Sequence, residues 1–246
     1  MTYPMITAHS GYEGIVRDSI DSVRKGIELG TEAVEVDVRL GKDGVLYLSH
    51  DDRDDYTGAD TLEDAFRFIA ENELSINCDL KQTRVLFPVL DLADKCGIPQ
   101  RKLIFSGDVD MAELAWHPEI AKRARVFLNA EHVYGRFVFD RCDDPVSVLR
   151  SPGALFDKDC NRFLKEESKR MADFYKSIGA ECMNICYHCV DHEIIEIYSA
   201  LGIPMSVWTV NDAEEQRRFL NEKVFNITTM QPVSALKIRN EKENKL

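Results

Sequence analysis

Short apolar runs alternate with longer amphipathic ones along nearly the whole chain. Val-, Ile- and Leu-rich runs at residues 5–9, 33–40, 45–50, 75–81, 103–106, 125–129, 181–185, 205–211 and 226–229 have the length of buried strands. Between them, apolar residues recur at helical spacing over 19–29, 61–71, 87–95, 112–117, 158–178, 192–201 and 213–221. Strands separated by helices of this length predict βαβ units and a parallel sheet. Lys42-Asp43-Gly44 is a turn sequence, so 45–50 is expected to return antiparallel beside 33–41 as a hairpin arm. Eight strands then remain, which predicts an α/β fold, a (β/α)8 TIM barrel over 1–238 with a β-hairpin extension at its C-terminal mouth. Thr61-Leu62-Glu63-Asp64 supplies a capping box, and Gly30, Gly97 and Gly202 stand where three helices should stop. Residues 131–156, broken by Gly135, Pro145, Pro152 and Gly153, read as a long excursion over one end of the barrel and a candidate lid; 239–246 read as a disordered tail.

Charge narrows the partners. Against 31 basic side chains stand 43 acidic ones, a formal charge of −12. Such a surface repels phosphate backbones, which argues against nucleic acid, and any anionic substrate must be held by a local cation or metal. The N-terminus has no signal-like apolar core and no apolar run is long enough to span a bilayer, so a cytoplasmic protein without a membrane anchor is expected. Seven cysteines, an odd number spread over a long chain, fit reduced thiols. Cys182, Cys186 and Cys189 with His188 and His192 invite a zinc reading, but no second C-x2-C pair accompanies them.

Alternation along a strand places Glu35 and Asp37 on one face and Val34, Val36 and Val38 on the other. If the hairpin closes, His50 returns close to Glu35, and a histidine and two carboxylates share the mouth where barrel strands carry chemistry. Other strands also end in capable side chains: His9, Asp79 with Lys81, Ser106, and Trp208 in Val207-Trp208-Thr209-Val210-Asn211. Singly, each has an ordinary alternative, since strand carboxylates can be solvated, Lys81 can simply pair with Asp79, and Trp208 can be core. Together, acids flanked by buried valines would be costly unless paired or metal-bound. Three hard oxygen donors, Glu35, Asp37 and Asp79, favour Mg2+ or Ca2+ as cofactor, and two histidines beside a metal suit acid–base chemistry. The remaining histidines, His117, His132, His188 and His192, are expected to be bystanders.

In order along the chain, His9, the Glu35-x-Asp37 pair, the Lys-Asp-Gly turn, His50-Asp51, Asp79-x-Lys81 and the Val-Trp-Thr-Val-Asn strand resemble the glycerophosphodiester phosphodiesterases. The resemblance implies Glu35, Asp37 and Asp79 as metal ligands, His9 and His50 as general base and acid, Lys81 on the phosphate, Trp208 as a further substrate contact, and a small phosphodiester as substrate. The chain departs from the family pattern at several points. Ser10 stands where the family has an arginine after the first histidine, Asp18-Ser19-Ile20 stands for its Glu-Asn-Thr, Asp79 replaces a glutamate, and Thr229-Met230-Gln231-Pro232 replaces its closing Thr-Asp-x-Pro. The insertion common after His-Asp is nearly missing. Alternation suggests Arg39, two residues beyond Asp37, as the substitute guanidinium. Two other readings stay open: a barrel that binds metal and a phosphodiester with weakened turnover, and a phospholipase D-like enzyme related to sphingomyelinase D.

Overall fold

A computed structural model describes residues 3–138 and 152–243. Its strands are β1 (Met5–Ala8), β2 (Ala33–Leu40), β3 (Leu46–Leu48), β4 (Ser75–Leu80), β5 (Leu103–Gly107), β6 (Arg125–Asn129), β7 (Cys182–Cys186), β8 (Met205–Trp208) and β9 (Asn226–Thr229). Eight of them pair in parallel in the order β1-β9-β8-β7-β6-β5-β4-β2, and β2 pairs back to β1, closing the ring. The ninth, β3, lies outside the ring, antiparallel to β2 with Val38 opposite Leu48. The fold is the predicted (β/α)8 barrel with its hairpin.

Each strand presents two faces to two different environments. Val34, Val36 and Val38 are buried in the layer between barrel and helices, together with Phe66, Ile69 and Leu90. Ala33, Ile104, Phe127 and Cys182 form a separate small apolar layer on the inner face, near the N-terminal end. Above it the buried side chains are polar: Thr7 donates to Asn226 at 2.8 Å, Asn226 to Ser206 at 2.9 Å, and Asn184 to Asn129 at 2.8 Å. Buried polar groups of this kind persist only when they find such partners.

Local signals place the helix ends. The Thr61 side chain accepts from Asp64 N–H and Ser19 from Ser22 N–H, each at a helix start, and Gly30 and Gly97 take left-handed conformations at helix ends. The helix expected over 158–178 is two, Pro152–Glu166 and Ser168–Ser177, with Glu167 leaving helical geometry between them. Ala130–Val138 is helical although 131–156 reads as irregular in sequence; the rest of the proposed lid, 139–151, lies outside the described residues. The final helix, Pro232–Glu243, takes in residues from 239 onward that the sequence assigns to a disordered tail. It packs on the barrel through buried Ala235 and Ile238, and Arg239 donates to Glu32 at 2.7 Å, so tertiary contacts override the polar composition. No described helix is long and apolar enough to cross a membrane.

Candidate active site

Register assembles the acidic cluster. In the β2–β4 ladder Glu35 is paired with Asn77 and Asp37 with Asp79, so odd-numbered inner-face residues stack at the C-terminal mouth. One carboxylate oxygen from each of Glu35, Asp37 and Asp79 lies within 4.8 Å of the others. Glu35 is 6 % exposed and Asp37 1 %. Carboxylates held this close in a buried site repel one another. Burial pushes Glu35 up to about 7, against the pull of His9 and with the push of Asp79 and Asp37. Burial likewise pushes Asp79 up to about 6, although Lys81 pulls it down.

Three basic side chains answer the acids. Lys81 Nζ lies 3.0 Å from Asp37 Oδ1 and 3.2 Å from Asp79 Oδ2. Burial pulls its ammonium down, but Asp79 and Asp37 outweigh this and hold it above the ordinary lysine value. His9 Nε2 stands 3.5 Å from Glu35 Oε1, while His9 Nδ1 is 2.8 Å from the Ser10 carbonyl. A carbonyl can only accept, so Nδ1 carries the hydrogen, and in the neutral ring the lone pair is on Nε2, facing the carboxylates. The third is Arg17, whose Nη2 donates to Asp37 Oδ2 at 3.2 Å.

The hairpin delivers His50 to the same end. Ser49 N–H donates to the Asp37 carbonyl at 3.0 Å, setting the level of the returning arm. His50 N–H donates to Asp18 Oδ2 at 3.1 Å, and its ring Nδ1 is 2.8 Å from Asp51 Oδ1 on the exposed rim. That hydrogen bond holds the Asp51 carboxyl below its usual range. Arg39 donates twice to the His50 carbonyl, at 3.1 and 2.8 Å. Its guanidinium is thus engaged in fixing the hairpin end, and the guanidinium that reaches the carboxylates is Arg17. Trp208 ends β8 beside Cys186, and its buried Nε1 has no hydrogen-bond partner.

Asp18, which the sequence places only in the Asp18-Ser19-Ile20 that stands for the family's Glu-Asn-Thr and gives no role, ties the site together. Its Oδ1 accepts from Ser10 Oγ at 2.7 Å and from Asp37 N–H at 3.0 Å, while Oδ2 holds His50 N–H. Burial and the neighbouring Asp37 charge raise its pKa, with its hydrogen bonds opposing. Nothing in the sequence shows the side chain turning back across two strands. Arg17 carried no signal either. His132, set aside as a bystander, has Nε2 3.7 Å from Asp108 Oδ1 beyond the end of β5, and burial pulls its pKa down.

The cluster suits a hard cation. Every donor is a carboxylate oxygen, and Asp79 Oδ1 is buried without a hydrogen-bond partner. Gly107 makes room for Asp79. With φ +76° it closes β5, and a Cβ built on it would collide with Asp79 Oδ1 and the Leu80 backbone.

Comparison with known proteins bears on this geometry. Residues 9–60 match the Glycerophosphoryl diester phosphodiesterase family, a span that contains His9, Glu35, Asp37 and His50. A comparison with curated protein sequences finds no match. Solved structures share the fold along the chain's whole length. A glycerophosphodiester phosphodiesterase from Parabacteroides distasonis ATCC 8503 superposes with a TM-score of 0.69 at 17% identity, covering 98% of each chain. One from Thermotoga maritima gives 0.62 at 19% identity, covering 97% of this chain and 100% of its own. An Oleispira antarctica phosphodiesterase, solved with its product sn-glycerol-3-phosphate, gives 0.68 at 15% identity, covering 97% of each chain.

Proposed function

We propose that the chain is a distant member of the glycerophosphoryl diester phosphodiesterase family of enzymes and that it hydrolyses glycerophosphodiesters to sn-glycerol 3-phosphate and an alcohol by metal-dependent His/His acid–base catalysis. The observation that carries this reading is the approach of His9 Nε2 to a three-carboxylate cluster that also holds Lys81. Glu35, Asp37 and Asp79 would hold Mg2+ or Ca2+, which when bound neutralises phosphate charge and favours the attacking oxygen's ionisation.

The chain's own groups do the remaining work. Lys81, anchored between Asp37 and Asp79, presents its ammonium to a phosphate oxygen. His9 Nε2 carries the free lone pair and takes the proton of the attacking hydroxyl, with Nδ1 pinned to the Ser10 carbonyl so that the ring cannot turn the wrong nitrogen inward. His50, its ring held by Asp51, gives a proton to the departing alkoxide as the P–O bond breaks, and its place on the exposed rim suits an alcohol leaving to solvent. Trp208, with its unpartnered indole N–H, contacts the substrate from the far side of the mouth.

Purified protein assayed with glycerophosphocholine and bis(p-nitrophenyl) phosphate tests the proposal. Turnover is expected with Mg2+ or Ca2+, lost on chelation and restored by adding the ion back. Absence of turnover with either metal, in protein that still binds the ion calorimetrically, would leave a metal-binding barrel without the reaction.

A further inference from the structure

We propose that Arg17 is the residue that grips the substrate phosphate, leaving Asp37 for the phosphate when a divalent ion loads the carboxylates; this rests on the phosphodiesterase reading above. Arg17 belongs to the loop joining β1 to the helix Ile20–Leu29, and the loop is built around it. Gly11, with φ +77°, lies against its stem, and a Cβ on Gly11 would collide with Arg17 Cγ. Ser10 and Asp18 close the loop reciprocally, Ser10 Oγ donating to Asp18 Oδ1 at 2.7 Å and Asp18 N–H donating to Ser10 Oγ at 2.6 Å. The stem therefore runs over a glycine to the mouth, where one Nη meets Asp37 Oδ2 at 3.2 Å. The side chain stays 47 % exposed, so the rest of the guanidinium fork is open to a ligand.

Charge favours the role. With a divalent ion bound, the three charges of Glu35, Asp37 and Asp79 are matched by the ion and Lys81, and in a protein of charge −12 Arg17 adds a further positive charge at the mouth to hold a phosphodiester monoanion. Its planar fork matches two phosphate oxygens, which a lysine cannot do. Arg39 is engaged with the His50 carbonyl, and the side chain at position 10 is a neutral serine bonded to Asp18. Arg17 and His50 also line one cavity of about 260 Å3 beside the mouth, which brings the phosphate grip next to the residue proposed to protonate the leaving group.

The test measures calorimetric affinity for sn-glycerol 3-phosphate and, separately, KM and kcat for glycerophosphocholine, all with Mg2+ present. A charge-assisted hydrogen-bond pair corresponds to about 10- to 100-fold in affinity. Arg17→Ala should weaken sn-glycerol 3-phosphate binding and raise KM by that factor, with a smaller change in kcat. Arg17→Lys should recover part of the affinity. Gly11→Ala, which keeps the arginine but displaces it, should fall between wild type and Arg17→Ala. Wild-type affinity and KM in folded Arg17→Ala or Arg17→Lys protein, with only the melting temperature lowered, would overturn the proposal and leave Arg17 as a structural partner of Asp37. If the wild-type protein turns over no phosphodiester yet Arg17→Ala still loses phosphate affinity, the reaction assignment fails and the Arg17 assignment stands.

Discussion

The two ends of the barrel treat charge in opposite ways. At the N-terminal end, Arg125, Glu32 and Lys102 find partners within the chain. Arg125, opening β6, binds Glu181 bidentately at 2.8–3.1 Å and lies over the rings of Phe127 and Phe225, each 5.3 Å away. Glu32 takes Arg239 on one oxygen and Ile6 N–H on the other. Buried Lys102 donates to the Ile69 and Asn72 carbonyls at the end of the helix Leu62–Glu71. At the C-terminal mouth, three carboxylates crowd together, and Asn77 Oδ1, Asp79 Oδ1, Ser106 Oγ and Trp208 Nε1 are buried without partners. Completed pairs stabilise a fold, whereas an arrangement that nothing in the chain completes stores a preference for a ligand. The difference separates the end that holds the barrel together from the end proposed to act, where barrels of this kind carry their strand-end chemistry.

The strongest way to break that contrast is to remove proton transfer and ask whether folding notices. His9→Ala should lower kcat by about 10²–10⁴-fold while the melting temperature stays near that of the wild type. His50→Ala should do the same, with partial rescue on a p-nitrophenyl ester, whose leaving group needs no proton. A stability loss without a rate loss would place His9 with the structural residues of the opposite end.

A subtler change tests whether Gly107 exists for Asp79. Gly107→Ala introduces a Cβ into the space of Asp79 Oδ1 at a left-handed backbone position, so it should weaken Mg2+ or Ca2+ binding by at least about tenfold, in the range seen when a ligand's supports are disturbed. Calorimetry returning the wild-type affinity would show that Asp79 Oδ1 is not a ligand atom.

The smallest effect is a pH slope. Burial raises Glu35 to about 7 and Asp79 to about 6, so the folded state binds these protons more tightly than the unfolded chain. Stability from this source is complete below the unfolded carboxylate values near 4 and is lost as pH rises through the folded values. In chelator, the melting temperature should therefore decline between about pH 4 and 8. A saturating divalent ion should raise it most at the upper end, where no proton has to be displaced. A metal-free protein that gains stability across this interval would mean that the cluster is already neutralised by Lys81 and Arg17.

Periodicity by itself determined the barrel and much of its mouth. Strand and helix periods are local, and β2 and β6 fall on the residues where the apolar runs lie. Alternation is a property of any strand, so the pairing of Glu35 with Asp37 on one face, and of Asp79 with Lys81, could be read without coordinates. The Lys-Asp-Gly turn likewise returns His50 to the mouth. Only the tertiary structure decided which charges meet. Arg39 follows Asp37 on the strand face yet binds the His50 carbonyl, because it stands where the hairpin arm closes. Arg17 reaches Asp37 because a loop with no repeating geometry carries its stem over Gly11, and no period predicts a direction there. Asp18 joins partners 8, 19 and 32 residues away, a convergence produced by ring closure between β1 and β2 and by the hairpin packed against them. The helix Pro232–Glu243 owes its order to Ala235, Ile238 and Arg239 meeting the barrel, because short polar helices gain their stability from packing and not from sequence propensity.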